Sequence, residues 1–191
     1  MITNISVCDV SQDLLRQNGS TEVKHEIKKD ASGKCFVSDV TMSALDPNNK
    51  EQLDNIMELA ARHRSVAHTA MNAESSRSHS VFALHLKARH AEDNVILRGT
   101  LSLVDLAGSE RLDRSEATGS RMKETMAINK SLSSLTDVFT AIANKQAHIP
   151  FRNSKLTHLL QPALSGDGKA LMVSKWAHFG RLEVFVSLLT C

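Results

Sequence analysis

Two polar segments of the sequence carry residue types that could handle a phosphate group. The first, Asn72 to Ser80, contains the adjacent hydroxyls of Ser75 and Ser76 followed by Arg77. Two hydroxyls can offer one oxygen to Mg²⁺ and one to an attacking water. The second segment, Asp105 to Glu110, is a DxxG element, whose carboxylate can hold a magnesium-bound water and whose glycine amide can approach a γ-phosphate. Together they predict a sensor for the terminal phosphate of a nucleotide.

Each segment alone has an ordinary explanation. Asp-x-x-Gly is common turn chemistry, and serine-rich loops often cap strands. The sequence between the segments favours the functional interpretation because it predicts a β-hairpin. Residues 80–89 alternate between apolar and mixed positions, residues 91–94 form a polar turn, and Ile96 to Asp105 is the return strand.

The predicted hairpin brings the two polar segments together. If the strands pair about a turn near residue 92, paired residue numbers sum to about 185. Residues 77–80 then lie opposite residues 105–108. We therefore expect the first segment to face Asp105, Gly108 and Glu110, and Arg77 to form a bidentate ion pair with a carboxylate such as that of Glu110. His79 is expected to hydrogen-bond within its own loop.

The remaining elements predict an α/β fold with a central sheet flanked by helices. Cys35 begins a short strand, residues 50–63 form a helix, and residues 170–173 form another strand. A long helix covers 121–144, and Ser154 caps a short helix after Pro150. The long helix has an apolar stripe at alternating steps of four and three: Ile128, Leu132, Leu135, Phe139 and Ile142.

Composition limits the classes of protein. The 191 residues suit one domain or a large piece of one. A net charge of +2 and only 4% aromatic residues, with no tyrosine, do not favour nucleic-acid binding. No apolar run is long enough to cross a bilayer, and the N-terminus has no signal-peptide pattern. The three cysteines are scattered and form no CxxC pair, which fits a reducing compartment. The nine histidines show no metal-ligand spacing.

Basic residues cluster around the short helix. Arg152 and Lys155 lie near its start, and they form one cationic face with Arg111, Lys123 and Lys130 if the long helix shares that surface. A solvated basic face is the simpler explanation for such a pair of charges. A cationic face beside a nucleotide site predicts an acidic protein partner.

The segments resemble the kinesin motor domain from about residue 26 to about residue 173. Asn72–His79 resembles the family's switch I, and Asp105–Glu110 resembles its switch II. Lys123–Leu132 resembles the long helix after switch II, and His148–Thr157 resembles the segment that touches the microtubule. The amino-acid sequences of residues 114–119 and 148–151 most resemble those of the C-terminal-motor, minus-end-directed class.

The resemblance implies a fold, a set of roles and partners. The fold would be a partial kinesin-type P-loop NTPase with a mixed central sheet, incomplete at both ends, over residues 1–191. ATP and Mg²⁺ would be the cofactors, and a microtubule (tubulin) would be the partner in the cytoplasm. The intact parent would dimerise through a coiled coil not present here, with no nucleic-acid or membrane partner.

The resemblance also assigns individual residues. Ser76 would hold magnesium, Ser75 would place the attacking water, and Arg77 with Glu110 would close the two switches. Asp105 would bind magnesium through water, the Gly108 amide would sense the γ-phosphate, and Asn72 would support the nucleotide pocket. Tubulin would be contacted by the basic residues Arg111, Lys123, Lys130, Arg152 and Lys155.

The sequence departs from the family at both ends. No GxxxxGK[ST] phosphate loop occurs, and the two Gly-Lys pairs, at residues 33–34 and 168–169, lack its context. Residues 174–191 form an atypical tail. The family places the strand that leads to the phosphate loop beside the strand that ends at Asp105. Its absence is expected to expose an apolar edge at Leu101, Leu103 and Val104.

Three hypotheses remain open from the sequence. The chain is part of an ATP-dependent microtubule motor, a microtubule-binding module without hydrolysis, or a non-functional fragment that does not fold alone. For these 191 residues taken literally, little or no ATPase activity is expected.

Overall fold

The predicted hairpin lies in the middle of a six-stranded sheet. The computed structural model describes residues 1–7, 11–16, 23, 25–31, 35–69, 78–108, 120–166, 168–176 and 182–190. The strands are β1 (Ile2–Val7), β2 (Ser11–Asp13), β3 (Ile27–Lys29), β4 (Cys35–Val37), β5 (His79–Arg89), β6 (Ile96–Asp105), β7 (Lys169–Trp176) and β8 (Leu182–Thr190). The helices are α1 (Lys50–Thr69), α2 (Ser120–Ala143) and α3 (Lys155–Leu164), the last preceded by a 3-10 turn. The sheet order is β2-β1-β5-β6-β8-β7, and β3 pairs with β4 separately.

The register of the hairpin agrees with the prediction. Ser80 pairs with Asp105 and Arg89 pairs with Ile96, so residue numbers across the ladder sum to 185. The register is strongly specified because one slipped residue would turn every side chain to the wrong face. The end of β6 at Asp105 therefore lies beside the start of β5.

Helices cover both faces of the hairpin. Val81 and Val104 are buried in a core with Leu135 of α2 and Leu156 of α3. The residues next to them, Phe82 and Leu103, lie on the opposite face of the sheet. There Phe82 is buried in a second core with Ala60 of α1 and with Leu14 and Leu15 of the turn after β2, and Leu103 packs against this core. This three-layer arrangement confirms the predicted α/β class.

The helices begin and end close to the predicted limits. The long helix α2 covers residues 120–143, and its stripe residues Ile128 and Leu135 are buried. The first helix continues to Thr69, six residues beyond the predicted limit at 63. None of the described helices has the length and apolar character needed to span a bilayer.

Ser154 caps α3 as predicted. Its hydroxyl accepts a hydrogen bond from the Thr157 backbone N–H at 3.1 Å, and Thr157 Oγ1 accepts one from the Ser154 backbone N–H at 3.2 Å. This reciprocal pair satisfies two backbone donors that the first turn of a helix would otherwise leave without partners.

Replacing Ser154 with alanine is expected to lower the free energy of unfolding by about 1 kcal/mol, the usual cost of losing an N-cap. Urea unfolding followed by circular dichroism measures the change. Thr136→Ala, which removes an exposed hydroxyl from α2, is the control and should cost less than about 0.5 kcal/mol. Equal losses in the two variants would contradict the capping role.

A strand from the tail corrects the expected open edge of β6. Leu101, Leu103 and Val104 were expected to be exposed, but β8 pairs along this edge, from Thr100 opposite Thr190 to Asp105 opposite Phe185. Val104 is fully buried. The ladders among the described strands are all antiparallel. The mixed strand directions expected of this sheet are therefore not seen, because the neighbour of β6 comes from the tail.

A buried carboxylate organises the irregular region before α1. Asp13 Oδ1 accepts a hydrogen bond from the Leu15 backbone N–H at 3.0 Å, and Oδ2 accepts one from the Thr41 backbone N–H at 2.7 Å. His63 of α1 donates from Nδ1 to the Leu14 carbonyl at 2.9 Å. These bonds fix the turn after β2 against both the later segment and the helix.

Candidate functional site

Asp105 and Gly108 lie where strand β6 ends. The Asp105 side chain is half exposed at 51%, and Gly108 follows two buried residues, Leu106 and Ala107. The ladder places Ser80, three residues after Arg77, directly opposite Asp105. In the described part of the site, the carboxylate of Asp105 at the end of β6 is therefore open to solvent, and Gly108, which has no side chain, follows three residues later.

An arginine that sequence analysis missed holds the Asp105 carboxylate. Arg64 of α1 donates from Nη1 to Asp105 Oδ2 at 2.6 Å and from Nη2 to the Ser78 carbonyl at 2.7 Å. Arg64 is largely buried at 14% exposure. One guanidinium therefore joins α1, the entry to β5 and the end of β6, and it fixes the direction of the carboxylate. The predicted helix ended one residue before Arg64, so no sequence pattern placed it at this site.

His79 connects the DxxG turn to the long helix. The Ala107 backbone N–H donates to His79 Nδ1 at 3.0 Å, and His79 Nε2 lies 2.6 Å from Ser131 Oγ on α2. Since Nδ1 accepts, the neutral ring carries its proton on Nε2 and donates to Ser131. Ser131 in turn donates to the Ile128 carbonyl at 2.6 Å. The expectation that His79 bonds within its own loop is therefore wrong: its partners come from β6 and α2.

The surroundings keep the His79 ring neutral. Burial, helped by the positive charge of Arg64 and opposed by the negative charge of Asp105, lowers the pKa of His79 from 6.5 to about 4. The side chain is 1% exposed. A neutral imidazole can accept from Ala107 and donate to Ser131 together, which a protonated ring cannot do because both nitrogens would then be donors. We name the set Ala107, His79 and Ser131 the histidine relay.

Several predicted site residues lie outside the described residues. They are Asn72, Ser75, Ser76 and Arg77 of the first polar segment, and Glu110 and Arg111 of the second. The predicted Arg77–Glu110 ion pair remains a prediction. The described residues of the two segments include Ser78 and His79, at the start of β5, and Ala107 and Gly108, just after the end of β6. These two strand ends pair with each other.

Three of the predicted basic residues surround one cavity. A cavity of about 280 Å³ is lined by Lys130 of α2 and by Arg152 and Lys155 before and at the start of α3. His79 and Ser131 also line it, so the histidine relay forms part of its wall. We name Lys130, Arg152 and Lys155 the basic cluster; all three are exposed. Lys123 is exposed on α2, roughly 10 Å along the helix from Lys130, and does not line the cavity.

A larger cavity lies elsewhere. It has a volume of about 570 Å³ and lies between one face of the sheet, the β3–β4 pair and α3. Val81 and Ala83 form part of its wall, and none of the predicted site residues that the structure describes lines it. Size alone does not mark a site, and the described residues expected to handle phosphate, Asp105 and Gly108, do not line this cavity.

The residues present fit one side of a magnesium–nucleotide site. An exposed carboxylate at a strand end, fixed by an arginine, is suited to a magnesium-bound water. Among the described residues no cluster of three or more His, Cys, Asp or Glu side chains could hold a metal by itself. Asp105 would therefore share the ion with phosphate oxygens and with ligands outside the described residues, as the first polar segment predicts.

Comparison with known proteins agrees with the geometry. The family model described as the kinesin motor domain matches residues 7–178. The chain is 53% identical over 155 residues to Kinesin-like protein KIN-14M of Arabidopsis thaliana, covering 81% of this chain and 20% of that protein. It is 44% identical over 161 residues to Carboxy-terminal kinesin 2 of Xenopus laevis, covering 84% of this chain and 25% of that protein.

A solved structure gives the same result. The C-terminal motor and motor homology domain of Kar3Vik1, fused to a synthetic heterodimeric coiled coil, is 42% identical and superposes with a TM-score of 0.74. The superposition covers 87% of this chain and 42% of that one. These likenesses define the class as a motor domain of the P-loop NTPase fold. The chain belongs to the kinesin motor domain family, and the Xenopus relative is named as a carboxy-terminal kinesin. It spans a fifth to a quarter of the length of the two curated relatives.

Proposed function

We propose that this chain is the switch and filament-binding part of an ATP-dependent microtubule motor. The observation that carries the proposal is the histidine relay, which joins the turn containing Gly108 to the helix that presents Lys130. A change at the turn would reach the basic cluster through two hydrogen bonds. That is the connection a motor needs between its nucleotide and its filament.

The nucleotide would supply the γ-phosphate and Mg²⁺, and this chain would sense them. Ser76 and Asp105 would be magnesium ligands, Asp105 through water, with Arg64 holding the Asp105 carboxylate in position. Ser75 would orient the attacking water, the Gly108 amide would contact the γ-phosphate, and Asn72 would support the pocket. These roles follow from the family pattern and from the placement of Asp105 and Gly108 at one strand end.

Release of the phosphate contact would move the second switch. Arg77 and Glu110 would close the two switches in the presence of phosphate and separate without it. The Ala107 amide would then pull on His79, and Ser131 would carry the movement into α2. The basic cluster would change its affinity for tubulin's acidic surface, with Arg111 and Lys123 extending the contact. The intact protein would act on cytoplasmic microtubules as a dimer joined by a coiled coil, moving toward the minus end.

Microtubule binding should depend on the basic cluster. We expect Arg152→Ala combined with Lys155→Ala to weaken binding about tenfold, since two charges facing an acidic partner are lost. Co-sedimentation with microtubules at several salt concentrations measures the dissociation constant, and binding should weaken as salt rises.

The matched control is Lys87→Ala with Arg89→Ala. Both are exposed and lie toward the far end of the hairpin, with Arg89 roughly 30 Å from the Asp105 end. The control should leave the dissociation constant unchanged. Equal pelleting of the two double variants, or no pelleting of the unmodified chain, would contradict a filament-binding role for the basic cluster.

A second candidate is a microtubule-binding module without hydrolysis. The favouring observation is that the 191 residues contain no GxxxxGK[ST]. Phosphate release assayed with this chain, ATP and saturating microtubules separates the two: the module should show no microtubule-stimulated turnover while still pelleting. Stimulated turnover by this chain alone would exclude the module.

A further inference from the structure

The last strand of the chain occupies an unusual position in the sheet. β8 follows β7 in sequence, yet it lies between β6 and β7. It makes six residue pairs with β6 and eight with β7, all antiparallel. The kinesin match ends at residue 178, so β8 lies outside it while both of its neighbours lie inside. A segment from outside the matched region thus separates two strands of the family fold.

The composition of β8 suits a strand that has neighbours on both sides. Its nine residues, LEVFVSLLT, contain one charged residue, Glu183, and are rich in leucine, valine and phenylalanine. Near-continuous apolar runs of this length are typical of strands in the interior of a sheet. The position is therefore one the tail is suited to fill, although nothing in the family pattern predicted it.

The position that β8 fills is defined by backbone groups. Without it, alternate residues along this part of β6 would present N–H and C=O groups to solvent, while the residues between them would stay bonded to β5. This stretch of β6 leads to the switch turn. Such an edge accepts any extended apolar strand, because main-chain hydrogen bonds supply the affinity. The same edge ends at Asp105, next to the proposed nucleotide site.

We propose that β8 is a self-capping strand, which fills from within this chain the sheet position that a strand of the phosphate-binding half of a motor would take. The proposal rests on the proposed function, because it needs a second half to exist. The two occupants exclude each other, since one strand position cannot hold both. With β8 in place the chain is closed to its complement, and it becomes receptive only when β8 leaves.

Hydrogen exchange on the full chain tests whether the cap is separable. Val186→Pro removes a backbone donor in the middle of β8, and proline is poorly tolerated inside a sheet. Val186→Ile keeps the backbone and is the matched control. In Val186→Pro and in a chain truncated after residue 178, we expect exchange to quicken at least tenfold at those amides between Thr100 and Asp105 that point toward β8 rather than β5. A peptide of residues 182–190 should restore protection to the truncated chain, and a scrambled peptide should not.

Exchange in α2 serves as the internal reference. Unchanged protection of α2 supports a replaceable cap. Equal loss of protection in α2 and β6 in both variants would show that β8 is part of the indispensable core, and would overturn the proposal. Unchanged exchange of the β6 amides would overturn it as well.

The exclusion is tested with the residues of Arabidopsis KIN-14M that immediately precede the matched 155 residues, which would contain the phosphate-binding half if the proposed function holds. We expect this segment to bind the chain truncated after residue 178 at least tenfold more tightly than the full chain, measured by titration calorimetry. Equal binding to both would overturn the exclusion. Binding to neither, with the 182–190 peptide still active, would overturn the identity of the competing strand. Microtubule pelleting through the basic cluster does not depend on these results, so the two proposals fail separately.

Discussion

Replacing His79 with alanine should lower the free energy of unfolding by about 3 kcal/mol, within the range for emptying a buried site and orphaning its partners. The loss combines a cavity at a side chain that is 1% exposed with two broken hydrogen bonds, to Ala107 and to Ser131. Ala107 is buried, and its N–H would lose the acceptor that His79 supplies. Urea unfolding of the purified chain measures the change.

His90→Ala is the matched control for this substitution. His90 lies at the exposed hairpin turn, where its side chain is 56% exposed and pairs only with the solvated Asp93. Its replacement should change stability by less than about 0.5 kcal/mol. If His79→Ala were as mild as His90→Ala, the histidine relay would not be a structural connection, and the proposed route from the turn to the filament-binding helix would lose its support.

The stability of the chain should also fall between pH 6.5 and about pH 4 because of His79. Its pKa in the folded chain is lowered to about 4 from 6.5, so in this interval the unfolded chain binds a proton that the folded chain excludes. Stability contributed by the neutral ring is therefore fully present above pH 6.5 and is lost as pH falls toward 4. A shift of this size corresponds to roughly 3 kcal/mol over the whole interval.

Comparison with His79→Asn isolates this effect from the other titrating groups. Asparagine retains an acceptor for the Ala107 amide and does not titrate, so the stability difference between the two proteins should shrink as pH falls. Unfolding in urea at half-unit pH steps gives the difference, and His90→Asn serves as the control. Stability curves of the unmodified chain and His79→Asn that stay parallel from pH 7 to pH 4 would show that His79 is not held neutral by the fold.

Local patterns predicted the hairpin and the helices well. The register of β5 and β6 follows from the two-residue period of the apolar side chains and from a polar turn at residues 91–94, both of which are visible in the sequence. The cap at Ser154 and the limits of α2 follow from equally local chemistry. These features can be predicted without knowing which other elements pack against them.

Neighbour relations across the sheet were not predictable in this way. β6 was expected to be open because no segment of the sequence resembled the family strand beside it, whereas β8 pairs there. The family match ends at residue 178, so the family pattern does not predict where the apolar run of β8 pairs. Which strands are adjacent depends on the whole chain.

In the candidate site too, residues that belong to local patterns were predicted, and residues whose partners are distant in the sequence were not. Asp105 and Gly108 were found because a DxxG after an apolar strand is a local pattern. Arg64 and Ser131 were missed because their partners are 41 and 52 residues away in the sequence. Spacing along the sequence cannot reveal such partners.

Asp13 shows how sensitive the region before α1 is to a change of a single atom. Both of its carboxylate oxygens accept from backbone amides, at Leu15 and at Thr41. An asparagine has the same shape but only one side-chain oxygen, so its NH₂ group would face one of these two backbone N–H donors and could not accept from it. Asp13→Asn is therefore expected to destabilise this region even though the two side chains have the same shape, because the fold uses both side-chain oxygens as acceptors.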